Sequence, residues 1–207
     1  MQEINNEAQS SLTENSGDPF DLEALAGFCH PSMSRRTAVL GVGNRLWGDD
    51  GAGPELLTKL KEEWEVRERR LGSQGQCLFI DAGESPEDCL IRVLDFKPEA
   101  IVVIDAMDLH AEPGSMAVLG PEALPEASCF STHRLPLRTL LHLWEKGGSK
   151  ALVLGIQPKE VIFREGLSHE VKMSIDSLIR FFCQRISVEG SSARAGEEGV
   201  LPWNDYS

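Results

Sequence analysis

The sequence has 207 residues and a formal net charge of -13 at pH 7, with 41% hydrophobic and 26% charged residues. This length and composition predict one globular domain with some additional chain. No apolar run approaches the roughly 20 residues that a membrane-spanning helix needs, and the acidity argues against a nucleic-acid-binding surface.

The two ends of the chain differ in composition from the middle. Residues 1–36 contain six acidic and two basic residues and are rich in Ser, Asn and Gln. Such a segment buries too little apolar surface to order itself, so we expect a disordered acidic extension there. Residues 188–207, with four acidic residues and one basic residue, predict a flexible acidic tail. The folded domain is therefore expected to span residues 37–187.

Within residues 37–187, short apolar runs alternate with longer segments in which apolar residues recur at helical spacing. The runs are typical of strands that are buried on both faces, and the longer segments are typical of helices that cover them. In chain order we predict a strand at 38–42, a helix at 53–70, a strand at 78–81, a helix at 86–96, a strand at 101–105, a helix at 135–146, a strand at 152–156 and a helix at 168–186. This alternation predicts a three-layer α/β/α sandwich around a twisted, mostly parallel sheet.

A fifth strand is predicted at 115–119. The eight or nine residues between it and the end of the preceding strand are fewer than a parallel crossover connection normally needs. We therefore expect this strand to run antiparallel to the others, which gives a mixed five-stranded sheet.

The cysteines and the N-terminus bear on cellular location. Five cysteines are scattered without metal-binding spacing, and their odd number leaves at least one unpaired. No basic segment followed by an apolar segment marks a secretory signal at the N-terminus. These features favour a cytoplasmic protein, for which a monomer is the default expectation.

Carboxylates follow three of the predicted parallel strands. Asp49 and Asp50 lie in the loop after the first strand, Asp81 ends the second, and Asp105 ends the third. One aspartate before a helix is explained by N-terminal capping, but the second of an adjacent pair has no cap left to make. Asp105 would lose hydration at the end of a buried strand, and this loss costs free energy unless a hydrogen bond or a bound cation compensates for it. Because ligands of open α/β sheets bind at the carboxyl ends of the strands, these acids are candidate functional residues.

One histidine is placed to join these acids. His133 lies in a polar turn that opens the predicted helix at 135–146. Taken alone, it would be interpreted as a helix cap or a surface residue. Together with carboxylates from two other loops, it would form an oxygen- and nitrogen-rich site that can hold a divalent transition metal with positions left open.

A nucleotide site is an alternative interpretation of Gly41 and Gly43 after the first strand. Two glycines there could let a pyrophosphate approach a helix N-terminus. The third glycine of the fingerprint is replaced by Leu46, and Asp49 and Asp50 would repel a phosphate. The pattern therefore disfavours a nucleotide-dependent enzyme.

The motifs together resemble those of the nickel-iron hydrogenase maturation endopeptidases. The similarity covers about residues 37–187 and is closest to the branch that processes formate-hydrogenlyase-type large subunits. The segments that carry it, in the same order and at similar spacing, are 41–53, 81–87, 104–106, 132–137 and 155–158.

The resemblance implies a protease that removes a C-terminal extension from a hydrogenase large-subunit precursor once nickel has been loaded. The carboxylate of the first motif, the aspartate ending the third strand and the later histidine bind the metal in that family. They correspond here to Asp50, Asp105 and His133. Some relatives have glutamate at the first position, so the aspartate reaches one methylene less far. The family assignment also implies an aspartic-type peptidase whose nickel arrives with the precursor, although other divalent cations could occupy the site.

This role suggests a mechanism for the residues of the first loop. Water would be polarised by the metal or by a carboxylate, with Asp50 or Asp105 as the general base. We expect Gly43, Asn44 and Asp49 to contact the substrate, since the glycine-rich loop allows a chain to approach closely. A non-catalytic chaperone that senses nickel in the precursor through the same ligands is the alternative.

Overall fold

The structure is a computed structural model that describes residues 36–71, 76–124 and 135–180. The extension predicted at residues 1–36 lies outside these ranges except for Arg36, which begins β1 instead. The tail at 188–207, the end of the last predicted helix and His133 also lie outside them. The strands are β1 (Arg36–Val42), β2 (Gln76–Gly83), β3 (Ala100–Ala106), β4 (Met116–Leu119) and β5 (Lys150–Ile156).

The α-helices are α1 (Ala52–Leu71), α2 (Leu90–Phe96), α3 (Leu137–Lys146) and α4, which is described at 169–180. Three short 3₁₀-helices occur at Gly48–Gly51, Pro86–Cys89 and Pro121–Ala123.

The five strands form one sheet in the order β2-β1-β3-β5-β4. β1 pairs in parallel with both β2 and β3, and β3 pairs in parallel with β5. β4 pairs antiparallel with β5, as its short connection predicted. The sheet is therefore mixed and mostly parallel, as expected from the sequence.

Helices cover both faces of this sheet because alternate residues of each strand point to opposite sides. Val102 and Ile104 of β3 belong to a cluster with residues of α1 and α4. Ile101 and Val103 belong to a second cluster with residues of α2 and α3, among them the fully buried Trp144. The predicted three-layer arrangement is confirmed.

In the described ranges, none of the helices has the length and apolar character that crossing a bilayer would require.

Two predicted helices begin later in the structure than in the sequence analysis. The segment predicted at 86–96 starts as a 3₁₀-helix at Pro86–Cys89, and α2 begins only at Leu90. The segment predicted at 135–146 becomes helical at Leu137, since Pro136 has an extended ψ of 135° and disfavours helix at the residue before it.

Candidate active site

The carboxyl ends of β1 and β3 lie side by side, and the loop after β1 folds back over them. Asp50 is carried by the 3₁₀-helix at Gly48–Gly51, and its Oδ2 accepts a hydrogen bond of 2.6 Å from the backbone N–H of Asn44. Gly43 has a φ of +124°, and a Cβ built there would lie 1.9 Å from the carbonyl oxygen of Asp50. The tight turn therefore needs glycine and holds Asp50 beside the end of β1.

Asn44 orients the same loop with its side chain as well as its backbone. Its Oδ1 accepts a hydrogen bond of 2.9 Å from the N–H of Leu46, which is a local turn typical of asparagine. The expected contacts of Gly43 and Asn44 with a substrate remain predictions.

Asp105 lies at the end of β3, where it is partly buried. The pKa of Asp105 is raised to about 8, mainly by burial and also by the negative charge of Asp50, while a hydrogen bond with the backbone of Ala106 opposes the shift. The two carboxyl groups, 55 positions apart in the chain, are thus close enough to interact electrostatically. A carboxyl group whose pKa is raised beside a second carboxylate is suited to acid–base chemistry or cation binding.

Asp49 occupies a different environment from its neighbour Asp50. Its side chain is fully buried, with 0% exposure. Its Oδ1 accepts a hydrogen bond from Ser168 N–H (2.6 Å), and its Oδ2 accepts bonds from Ser168 Oγ (2.8 Å), Lys159 N–H (2.8 Å) and Glu160 N–H (3.3 Å). These bonds engage both oxygens. The geometry favours a structural role for Asp49 over the direct substrate contact that the sequence suggested.

Gln157 is a site residue that local sequence reasoning did not identify. It follows β5, and its Oε1 accepts hydrogen bonds from Leu109 N–H at 2.7 Å and Ala111 N–H at 3.4 Å. The side chain therefore holds the loop that follows Asp105 against the end of β5. No local pattern reveals this, because the two partners are 48 and 46 residues away.

Asp81, the carboxylate that was predicted to end the second strand, lies near Arg45 at the edge of the site. Its Oδ2 lies 3.5 Å from Arg45 Nη2, while Arg45 Nη1 pairs with Glu55 at 3.0 Å. The Asp81 side chain is 54% exposed, so this pairing contributes little to stability. Asp50 and Asp105 therefore lie near each other in the structure, whereas Asp81 forms an ion pair with Arg45 at the surface.

The proposed third ligand, His133, lies outside the described residues. Within 36–71, 76–124 and 135–180, no group of three His, Cys, Asp or Glu residues could hold a metal. The two acids therefore need a ligand from elsewhere to complete a metal site. Of the histidines in the described ranges, His110 and His169 are exposed and His142 is partly exposed.

A thiol nucleophile and a nucleotide site at the glycines after β1 find little support in the described residues. Burial raises the pKa of the Cys89 thiol, which makes it a poorer nucleophile. A Cβ on Gly53 would lie 2.3 Å from Val42 O and 2.5 Å from Ile104 O. A Cβ on Gly41 would lie 2.7 Å from Gly53 O, so these glycines accommodate close packing of α1 on the sheet.

Comparison with known proteins places this geometry in a family. A family model described as hydrogenase maturation protease (HycI) matches residues 54–185. The hydrogenase 3 maturation protease of Escherichia coli K12 is 29% identical over 140 residues, which are 68% of this chain and 84% of that protein. The coenzyme F420 hydrogenase subunit delta of Methanothermobacter thermautotrophicus is 31% identical over 154 residues, or 72% of this chain and 94% of that protein.

A solved structure shares the fold. The crystal structure of the nickel-iron hydrogenase maturation protease HycI from Thermococcus kodakarensis matches with a TM-score of 0.64 and 26% identity. The match covers 79% of this chain and 99% of that one.

Proposed function

Because this chain belongs to the hydrogenase maturation protease family, we propose that it cuts a C-terminal extension from the nickel-loaded large-subunit precursor of a nickel-iron hydrogenase. The observation that supports this reaction most directly is the pair Asp50 and Asp105. The two carboxyl groups come from separate strand ends and interact closely enough for the charge of one to raise the pKa of the other.

In this proposal, nickel is part of the substrate and serves as its recognition element. Asp50, Asp105 and His133 are the ligands, and their mixed oxygen and nitrogen set suits a divalent transition metal. Since ligands must be deprotonated, nickel binding would displace the proton that Asp105 holds at neutral pH. A precursor without nickel would lack this anchor and would not align its scissile bond.

Hydrolysis then needs a group that activates water. Asp50 or Asp105 is the general base in this proposal, in keeping with an aspartic-type peptidase. Asp49 supports the catalytic loop from within, because its oxygens are already engaged by Ser168, Lys159 and Glu160. The low reactivity of Cys89 argues against a thiol nucleophile.

The decisive experiment incubates the purified full-length protein with nickel-loaded and nickel-free precursor and measures the precursor mass. We expect loss of a C-terminal peptide from the nickel-loaded form alone. Asp50→Ala, Asp105→Asn and His133→Ala should each slow cleavage by at least about 100-fold, the usual contribution of a positioned acid or base.

Two exposed residues provide matched controls. Asp95→Asn removes an exposed carboxylate from α2, and His169→Ala removes an exposed imidazole at the start of α4. Both variants should cleave at the wild-type rate. An Asp50→Ala variant that is equally fast would refute its assigned role. Binding of nickel-loaded precursor without a change in mass would favour the non-catalytic chaperone.

A further inference from the structure

Five exposed apolar residues lie on two hydrogen-bonded loops, one of which carries Asp50. Two belong to the loop after β1 and three to the loop after β5. Phe163 is 75% exposed, and Trp47 is 43% exposed. We refer to this set as the apolar patch; its members are Leu46, Trp47, Val161, Ile162 and Phe163.

The two loops that carry the apolar patch are joined by backbone hydrogen bonds. The N–H of Gly48 donates to Arg164 O at 2.8 Å, and the N–H of Arg164 donates to Leu46 O at 2.8 Å. The rings of Trp47 and Phe163 meet edge to face with their centroids 5.8 Å apart. The patch is therefore a fixed surface, and little conformational entropy would be lost when a partner covers it.

The apolar patch includes part of the turn that carries Asp50, because the N–H of Asp50 donates to Trp47 O at 3.4 Å. Asp50 follows Trp47 by three residues, and the buried Asp49 between them hydrogen-bonds to the N–H groups of Lys159 and Glu160 in the second loop. A macromolecule whose chain reaches Asp50 therefore passes the turn that carries Trp47.

A contiguous exposed apolar surface containing aromatic side chains is typical of a protein interface. We propose that the apolar patch docks the large-subunit precursor, through an apolar surface of the precursor beside the bond that is cut. This inference depends on the proposed function and extends it: the acids select nickel, and the patch selects the protein that carries it.

The test separates binding from chemistry with the variant Phe163→Ser. Cleavage of nickel-loaded precursor is measured over a range of precursor concentrations, and precursor binding is measured by calorimetry. We expect KM and Kd to rise by about 10-fold or more, which corresponds to about 1.4 kcal/mol, with kcat within twofold of wild type. Val66→Ser, which removes a 40%-exposed apolar residue from α1, is the matched control and should change neither constant.

Other occupants of the apolar patch predict different results. If a second copy of this chain covers it, Phe163→Ser will reduce self-association in sedimentation experiments and leave KM unchanged, which would overturn the proposal. If another part of this chain covers it, Phe163→Ser will lower the unfolding midpoint well below that of Val66→Ser, again with KM unchanged.

The proposed function and this inference can fail separately. If wild-type protein does not cut the precursor, the proposed function fails. If wild-type protein cuts and Phe163→Ser has unchanged KM and Kd, only the docking role of the apolar patch is wrong.

Discussion

Two adjacent aspartates have opposite environments within one 3₁₀-helix. Asp49 faces inward and accepts hydrogen bonds from a distant loop, whereas Asp50 is partly exposed and lies at the end of β1. Local sequence reasoning recognised that one of the pair could be structural, but it could not decide which. The partners of Asp49 lie 110 to 119 residues later in the chain.

The buried role of Asp49 leads to a prediction about stability. Asp49→Asn keeps the size of the side chain but removes its charge and one acceptor oxygen, so Ser168 and Lys159 lose charge-assisted bonds. We expect a loss of about 2–4 kcal/mol in the free energy of unfolding, measured by urea denaturation. The exposed Asp95→Asn should change it by less than about 0.5 kcal/mol. Equal effects of the two substitutions would contradict the structural role.

The raised pKa of Asp105 predicts a pH dependence of stability in metal-free protein. A carboxyl group has a pKa of about 4 when unfolded. The folded state therefore binds the Asp105 proton more tightly, and this group makes stability fall as pH rises from about 4 toward its folded pKa of about 8. The slope approaches about 1.4 kcal/mol per pH unit within that window.

Asp105→Asn should remove this pH dependence. Urea denaturation with a chelator present, at pH 5 and at pH 8, is expected to show the variant gaining stability relative to wild type at the higher pH. Parallel pH profiles of the two proteins would show that Asp105 is not the group responsible.

At the scale of elements, α1 packs closely on the sheet directly after the loop that carries Asp50. Gly53→Ala would bring a Cβ to 2.3 Å from Val42 O and 2.5 Å from Ile104 O, so backbone must shift. We expect a net loss of roughly 1–3 kcal/mol in unfolding free energy despite the better helix propensity of alanine.

Gly120→Ala is the control for this substitution, because a Cβ there meets nothing within 4 Å. Thermal denaturation should place it close to wild type, within about 0.5 kcal/mol. A Gly53→Ala protein as stable as the Gly120→Ala protein would show that the helix can move away from the strands at no cost.

Most elements could be predicted from the sequence because their signals are local. Residues 100–104 of β3 form an uninterrupted apolar run, and α4 places Val171, Ile175 and Leu178 on one buried face. The antiparallel direction of β4 followed from the length of its connection. The order of the strands could not be predicted from spacing, which gives direction but not neighbours.

At the scale of the whole molecule, the same distinction applies to the site. Asp50 and Asp105 were identifiable because both follow buried strands, and parallel strands end at the same edge of a sheet. The supporting contacts of Gln157 and Asp49 could not be identified from the sequence, because they depend on which loops lie next to each other in the folded protein. The apolar patch is likewise a product of two loops, and neither loop alone distinguishes it from ordinary core residues.

The bond between Asp49 and Ser168 also orders events during synthesis. Ser168 leaves the ribosome 119 residues after Asp49, so the loop that carries Asp50 has no partner for its buried carboxylate until most of the polypeptide has emerged. A nascent chain consequently contains Asp50 and Asp105 before Ser168 has been added and the loop can form its final contacts. The order of translation therefore delays formation of the candidate active site.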